Sequence, residues 1–498
     1  MSDKSRPELI FGLVSPLGTD LNLVSELLMK SLEKVRYTSE KIVLSDLLSE
    51  IDGLENDEKN SPEYDRIESR MNRGDELRNK VGGDSLAILS MGKIQKSREK
   101  KTGNLETQIP NHAYILKSLK HTEEAQKLRK VYGNSFWLLS VFSSRETRID
   151  SLAKQMGSPP EKYRTDAEKL VNRDYHDDEK KLGQDVRETF PEGDVFIDAS
   201  NPSILEEQIN RFVELIFGNT FHTPHKEEYG MFHAYASSLR SSSLSRQVGA
   251  AILDKESNLI STGTNEVPKA GGGVYGSDDK PNDFRDFVLG KDSNQEEKIK
   301  MLKDIFERLK KVKWLSKENQ DKDTEEIVKI ALDSQDLKDM QFLDITEYGR
   351  EVHAEMDALV SAARGTESVE NCVLYCTTFP CHICTKHIVV SGIEKVVFIE
   401  PYPKSHAKDL FSDSISVGEK KEDKVHFKPY FGIAPRQYAD LFKMKERKNQ
   451  TTGIKIDWIA SESEPRFWES KEFAKDESSE MSDFVNSMQQ KGLSLKKG

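Results

Sequence analysis

His353-Ala354-Glu355 and, downstream, Pro380-Cys381-His382-Ile383-Cys384 constrain this chain more than any other feature, because together they offer one imidazole and two sulfurs to a single metal ion. Such a site forms only if the segment carrying the histidine meets the segment carrying the cysteines. Two helix starts must therefore converge. His353 stands at the head of one helical run, and Cys381 and Cys384, three apart at the start of another, share one face of it. A helix N-terminus also favours thiolate over thiol. Zinc held by one nitrogen and two thiolates has three protein ligands, which leaves its fourth position open for water. Glu355 is then a carboxylate beside the ion and not a ligand, suited to moving a proton. A structural four-cysteine knuckle or a redox C-x-x-C pair leaves the His-x-Glu element unexplained.

All four cysteines lie between Cys372 and Cys384, the wrong distribution for a disulfide framework. Cys372 and Cys376 fall on a strand-like run and read as buried wall, while His382 and His387 do not share the face of the cysteine pair.

The rest of the chain is too long for one site. At 498 residues two or three domains are expected. Glu8 to Val14 reads as a buried strand, Ser15 to Asp20 as a turn, and Leu21 to Leu32 as an amphipathic helix. Further strand-like runs at 41–44, 85–89, 113–116, 135–142 and 195–197 alternate with charged helical stretches, which predicts a parallel α/β sheet over residues 1–200. Residues 201–225 read as a linker with a helix starting at Asn201. A second α/β domain follows over 226–440, with a hairpin at 248–264 and a charged insertion at 270–345. The remainder, 441–498, reads as an extension, poorly ordered from 476 onward.

A net charge of −12 argues against wrapping long nucleic acid and favours small substrates. No apolar run approaches the length of a membrane span and the start lacks a signal-peptide layout, so a cytoplasmic protein is expected.

The H-x-E then P-C-x-x-C arrangement resembles the signature of zinc-dependent nucleobase deaminases. The likeness to deoxycytidylate deaminases is closer still. It runs through Arg246-Gln247-Val248-Gly249-Ala250, Gly263-Thr264-Asn265, Val352 to Glu355, Tyr375 to Cys384 and Ser391-Gly392-Ile393. That resemblance implies a three-layer α/β/α deaminase domain and hydrolytic deamination of deoxycytidine nucleotides, in which Glu355 takes a proton from water, the resulting nucleophile attacks C4 of cytosine, and ammonia leaves. It implies that Asn265 contacts the sugar. For Arg246 a phosphate contact and an ordinary salt bridge stand side by side; for Tyr402, flanking the pyrimidine and plain packing do.

The whole layout, a kinase-like N-terminal half fused to a deaminase half, resembles the bacterial anti-phage cytidine deaminases. The resemblance implies turnover of dCTP and dCMP to uracil forms as antiviral defence, held in check until infection, in some members by a small inhibitory RNA. Allosteric control by nucleotides and a homo-oligomer are further expectations from it. A housekeeping or bifunctional salvage enzyme and a polynucleotide deaminase are the alternatives.

Strand, glycine turn and helix give the N-terminal half the layout of a phosphate loop, with Gly12, Ser15, Gly18, Thr19 and Asp20 as its candidate nucleotide-binding residues. The pattern departs from G-x-x-x-x-G-K-[ST]: the glycines are one residue too far apart, and Thr19-Asp20 replaces the lysine and hydroxyl. Phosphoryl transfer is therefore not expected. A regulatory nucleotide, ATP or a dNTP, with charge supplied by Lys120, Arg145, Arg148 or Arg173, is one reading, and a scaffold that binds nothing is the other.

Overall fold

The computed structural model describes residues 6–54, 62–175, 185–334, 340–401, 405–443, 445–466 and 473–496. The chain divides into two compact units, Met1–Glu228 with Tyr430–Gly498, and Tyr229–Pro429.

The first unit is built on β1 (Leu9–Val14), buried along its whole length and apolar on both faces, as the centre of a parallel sheet has to be. In chain order follow α1 (Leu21–Lys34), β2 (Thr38–Val43), α2 (Glu63–Val81), α3 (Ser85–Thr102), β3 (His112–Leu119), α4 (Thr122–Tyr132), β4 (Phe136–Phe142), α5 (Arg145–Met156), α6 (Arg164–Tyr175), β5 (Val195–Asp198) and α7 (Pro202–Ile216). The parallel strands run in the order β2-β3-β1-β4-β5, with the short strand Gly432–Ile433 antiparallel beside β5. Ile10 lies opposite Tyr114 of β3 on one side and Phe136 of β4 on the other. Alternation along β1 feeds two cores: Leu9, Phe11 and Leu13 enter one, Ile10 and Val14 the other.

Four expectations need correction here. Residues 85–89, read as a strand, form the first turns of α3, where every residue from Ser85 to Met91 is buried; a helix apolar all round gives no period to distinguish it from a strand. Residues 201–225 contain no free linker helix, because α7 packs Leu205, Ile209, Phe212 and Val213 into the core of the first unit. The segment from 476 is ordered: helix Phe473–Gln490 buries Phe473, Phe484 and Met488, and Ser494–Leu495 pairs with Ile51–Asp52. Its polar composition hides a buried ion triad, in which Arg98 holds both Glu8 and Glu477 with all three side chains out of solvent. The segment that follows the second unit likewise returns to the first through Gly432–Ile433, so 430–440 belongs with the N-terminal sheet.

In the second unit the elements are α8 (Lys226–Ser238), which begins at the boundary, β6 (Gly249–Leu253), β7 (Leu259–Thr264), α9 (Ser293–Lys311), α10 (Thr324–Asp333), α11 (Ala354–Gly365), β8 (Val373–Thr378), α12 (His382–Val390), β9 (Lys395–Glu400), β10 (Ile415–Val417) and β11 (Val425–Pro429). The mixed sheet has the order β7-β6-β8-β9-β11-β10, antiparallel where β6 meets β7 and β8 and parallel elsewhere. Within 270–345, α9 and α10 carry a small apolar cluster of their own around Leu302, Val328 and Ala331.

One glycine sets the position of the helix that matters most. A Cβ at Gly263 of β7 would stand 2.0 Å from the Ala354 carbonyl oxygen and 2.3 Å from the Ala358 nitrogen, so α11 lies against the bare backbone of β7. Asp357 locks that contact by accepting from the Thr264 N–H at 3.0 Å, and Ser261 donates to the Ala358 carbonyl at 2.8 Å.

Candidate active site

His353 and Cys381 occupy equivalent places, each the extended residue that opens a helix, α11 and α12 respectively. The positive ends of the two helices thus face one point. Cys381 Sγ accepts from the Cys384 N–H at 3.4 Å, which spends one orphan donor of α12 on the sulfur. His353 Nδ1 stands 3.4 Å from Cys381 Sγ and 3.4 Å from Cys384 Sγ. With Zn–S of about 2.3 Å and Zn–N of about 2.0–2.1 Å, a tetrahedral ion requires an N···S separation of roughly 3.6 Å. The donor atoms match that, and all three lie within 4.8 Å of one another, the one such metal-ligating group among the described residues. Cys372 and Cys376 are buried but lie outside the group, as do His382 and His387.

The three donors perturb one another strongly. Hydrogen bonding to the Cys384 thiol, and then the neighbouring His353, push the Cys381 thiol down to about 4. Hydrogen bonding to Cys381 pushes His353 up to about 9. Cys384 goes the other way, held well above the usual thiol range by its hydrogen bond to Cys381 and by burial. Holding a zinc ion would require both sulfurs as thiolates and His353 as a neutral imidazole, so binding would release the protons these three groups otherwise keep. Glu355, on the first turn of α11 and only 4% exposed, stays outside the ligand set. Burial raises its pKa, opposed by the charge of His353.

These groups open onto a cavity of about 160 Å³ whose wall includes Arg246, Asn265, Glu351, Glu355, Thr378 and Phe379. Asn265 is nearly consumed by its surroundings: its Oδ1 accepts from the Val248 N–H at 2.7 Å, and its Nδ2 donates to the Arg246 carbonyl at 2.9 Å and faces Glu351 Oε2 at 3.4 Å. Arg246 reaches Glu400 at 3.0 Å, and Thr378 donates to the same oxygen. Phe379 is held edge-on by Phe398, with ring centroids 4.9 Å apart.

A profile described as "Cytidine and deoxycytidylate deaminase zinc-binding region" matches residues 224–400. Residues 224–400 are a deaminase zinc-binding region. Its zinc ligands are His353, Cys381 and Cys384. The deoxycytidylate deaminase of Enterobacteria phage T2 is 46% identical over 55 residues, 11% of this chain and 29% of that protein. The human deoxycytidylate deaminase is 34% identical over 64 residues, 13% of this chain and 34% of the relative. The chain therefore spans about a third or less of the length of these relatives. A crystal structure of dCMP deaminase from the cyanophage S-TIM5, in complex with dCMP and dUMP, aligns at 17% identity and a TM-score of 0.24, covering 42% of this chain and 99% of that one.

Beside the deaminase ligands the structure gathers Glu355, Arg246 and Asn265; Tyr402 lies outside the described residues. Sequence reasoning missed Glu351, Thr378 and Phe379. Glu351 stands two residues before His353, and its nearness in sequence to the ligand was the available signal.

The N-terminal candidates fall differently. Gly12 is not a phosphate contact: it sits inside β1, where a Cβ would meet Leu119 at 2.7 Å and Phe136 at 3.0 Å, so packing between β3 and β4 requires it. Ser15 is buried directly after β1, and Lys120 Nζ donates to its carbonyl at 2.9 Å. Gly18 has φ +89° and lies against the Arg148 backbone. Thr19 Oγ1 donates to the Pro16 carbonyl at 2.9 Å, and Asp20 caps α1 by accepting from the Asn22 and Leu23 N–H groups. Asp20 thus does for α1 what a bound anion would do.

Among the described residues no helix is long and apolar enough to cross a membrane.

Proposed function

We propose that this chain is a zinc-dependent hydrolase that deaminates deoxycytidine nucleotides, dCMP and dCTP, to their uracil forms. The observation that carries the proposal is a buried carboxylate, Glu355, beside a complete histidine–thiolate–thiolate ligand set to which it does not belong. His353, Cys381 and Cys384 would hold the ion, which supplies the Lewis acidity that makes water a nucleophile near neutral pH. Glu355 accepts a proton from that water and returns protons to N3 and to the departing amine. Burial that raises its pKa suits a group that must both take and give a proton. Phe379, fixed by Phe398, offers a flat wall for the ring.

Support for a free nucleotide comes from the phage and human relatives, whose names say deoxycytidylate deaminase, and from the acidic net charge. A 48-residue match at 48% identity to a tRNA-specific adenosine deaminase of Aquifex aeolicus, 9% of this chain and 32% of that protein, favours the second reading, a deaminase of bases within a strand. The proposal extends to antiviral depletion of dC nucleotides, a homo-oligomer, a regulatory nucleotide at the first unit and restraint by a small RNA, all resting on the family resemblance. Incubating the purified full chain with dC, dCMP, dCTP, their ribose counterparts and single-stranded DNA, with and without ATP, tests it. Uracil appearing only in the DNA would overturn the nucleotide assignment.

A further inference from the structure

The loop after β1 already has an anion on it. Asp174 of α6 is 1% exposed, and its two oxygens are spent on the contacts a phosphate takes from a phosphate loop: Oδ2 accepts from the Leu17 N–H at 2.6 Å, and Oδ1 pairs with Lys120 Nζ at 2.8 Å. Lys120 follows β3 directly, so the lysine missing from the loop itself arrives from the neighbouring strand. The place is significant. The chain leaves β1 for β2 and β3 on one side of the sheet and then crosses to β4 on the other, and the crevice at the carboxyl ends of strands where order reverses is where open α/β sheets bind ligands.

Asp174 is held there by packing as well as by charge. Leu17 lies against an apolar cluster of Ile149, Leu152, Ala153, Ala167 and Val171, contributed by α5 and α6, and Arg148 donates to the Leu17 carbonyl at 3.3 Å. The helix that carries the carboxylate and the loop that receives it therefore close together as one piece.

We infer that Asp174 is an autoinhibitory plug, an internal anion filling the position of a nucleotide phosphate, and that a polyphosphate binds this loop only by displacing it. The inference deepens the regulatory nucleotide proposed above and rests on that reading. A site open only part of the time shows an affinity reduced by the open fraction. Removing the competing charge while keeping the side chain's size should expose the underlying affinity.

The test titrates full-length protein with inorganic tripolyphosphate, comparing wild type, Asp174→Asn and Asp174→Asn/Lys120→Gln. Asp174→Asn is expected to bind at least about tenfold tighter than wild type, and the added Lys120→Gln to abolish the gain. Equal affinity of Asp174→Asn and wild type, or a gain that survives loss of Lys120, overturns the plug. Hydrogen exchange on the wild type needs no variant to fold: tripolyphosphate should raise exchange along α6, and no change up to the solubility limit overturns the inference. Deamination of dCMP with and without ATP separates the two proposals, since tripolyphosphate binding by Asp174→Asn with an ATP-insensitive rate removes regulation and leaves the plug standing.

Discussion

Glu355→Gln removes one charge from a site that is 4% exposed and changes the side chain's shape hardly at all, so its effect isolates proton transfer. General acid–base transfer by a positioned side chain contributes about 10²- to 10⁴-fold, which is about 2.7–5.4 kcal/mol at 1.36 kcal/mol per tenfold. Glu355 is asked to move protons at two stages, from water and to the pyrimidine, while the other carboxylate on the cavity wall, Glu351, faces the Asn265 amide at 3.4 Å. The loss is therefore expected toward the upper end, about 10³- to 10⁴-fold. Zinc content should not change, because the three donors that fit a tetrahedral ion stand without Glu355. Cys384→Ser provides the contrast, losing metal and turnover together. The assay is the steady-state rate on dCMP and dCTP beside zinc per chain by atomic emission. A Glu355→Gln protein with more than a tenth of the wild-type rate, or one whose zinc falls in step with its rate, would refute the assignment.

Gly263→Ala forces a Cβ to within 2.0 Å of the Ala354 carbonyl, next to His353, so a loss of about 1–3 kcal/mol or more is expected by denaturant titration, together with weakened zinc retention. Asp194 is fully buried, which by itself raises its pKa, but the Arg436 and Arg129 guanidiniums and the Leu138 N–H outweigh burial and hold it below the usual carboxylate range. A depressed carboxylate stabilises the fold above its unfolded pKa of about 3.9 and loses that contribution as pH falls through the folded value. Asp194→Asn should thus cost about 3–5 kcal/mol at neutral pH, and thermal melts of variant and wild type should converge on acidification; a gap that persists at low pH contradicts the ion-pair account. Phe484→Ala, in a helix whose polar composition predicts poor order, should cost about 3–5 kcal/mol, whereas a wild-type melting temperature would mean that this helix is not part of the core.

What the chain made legible was local. Helix starts at Leu21, Ala354 and His382, the hairpin of β6 and β7, and the strand–turn–helix at Leu9 to Lys34 depend on residues within a turn or two of one another, and each appears where period and capping place it. The zinc ligands were legible for the same reason, since two short motifs carry all three. Failures came where burial is non-local. Residues 85–89 are buried on every side because α3 is walled in by other elements, and the charged residue Glu477 reads as solvated although Arg98 and Glu8, far away in sequence, close around it.

The loop at Ser15 to Asp20 shows how a motif can mislead by being half local. A phosphate loop is recognised by a lysine inside its own segment, and by that measure this one is broken. The fold supplies the lysine from Lys120 at the end of β3, a strand that neighbours β1 only because the sheet is ordered β2-β3-β1-β4-β5. The same fold supplies the anion, from α6, more than a hundred residues beyond the loop. Loss of the lysine from the motif is therefore not loss of cationic charge from the site. Phosphate on this loop competes with an acid on a helix, and occupancy turns on the position of α6 as much as on the chemistry of Gly18 to Asp20.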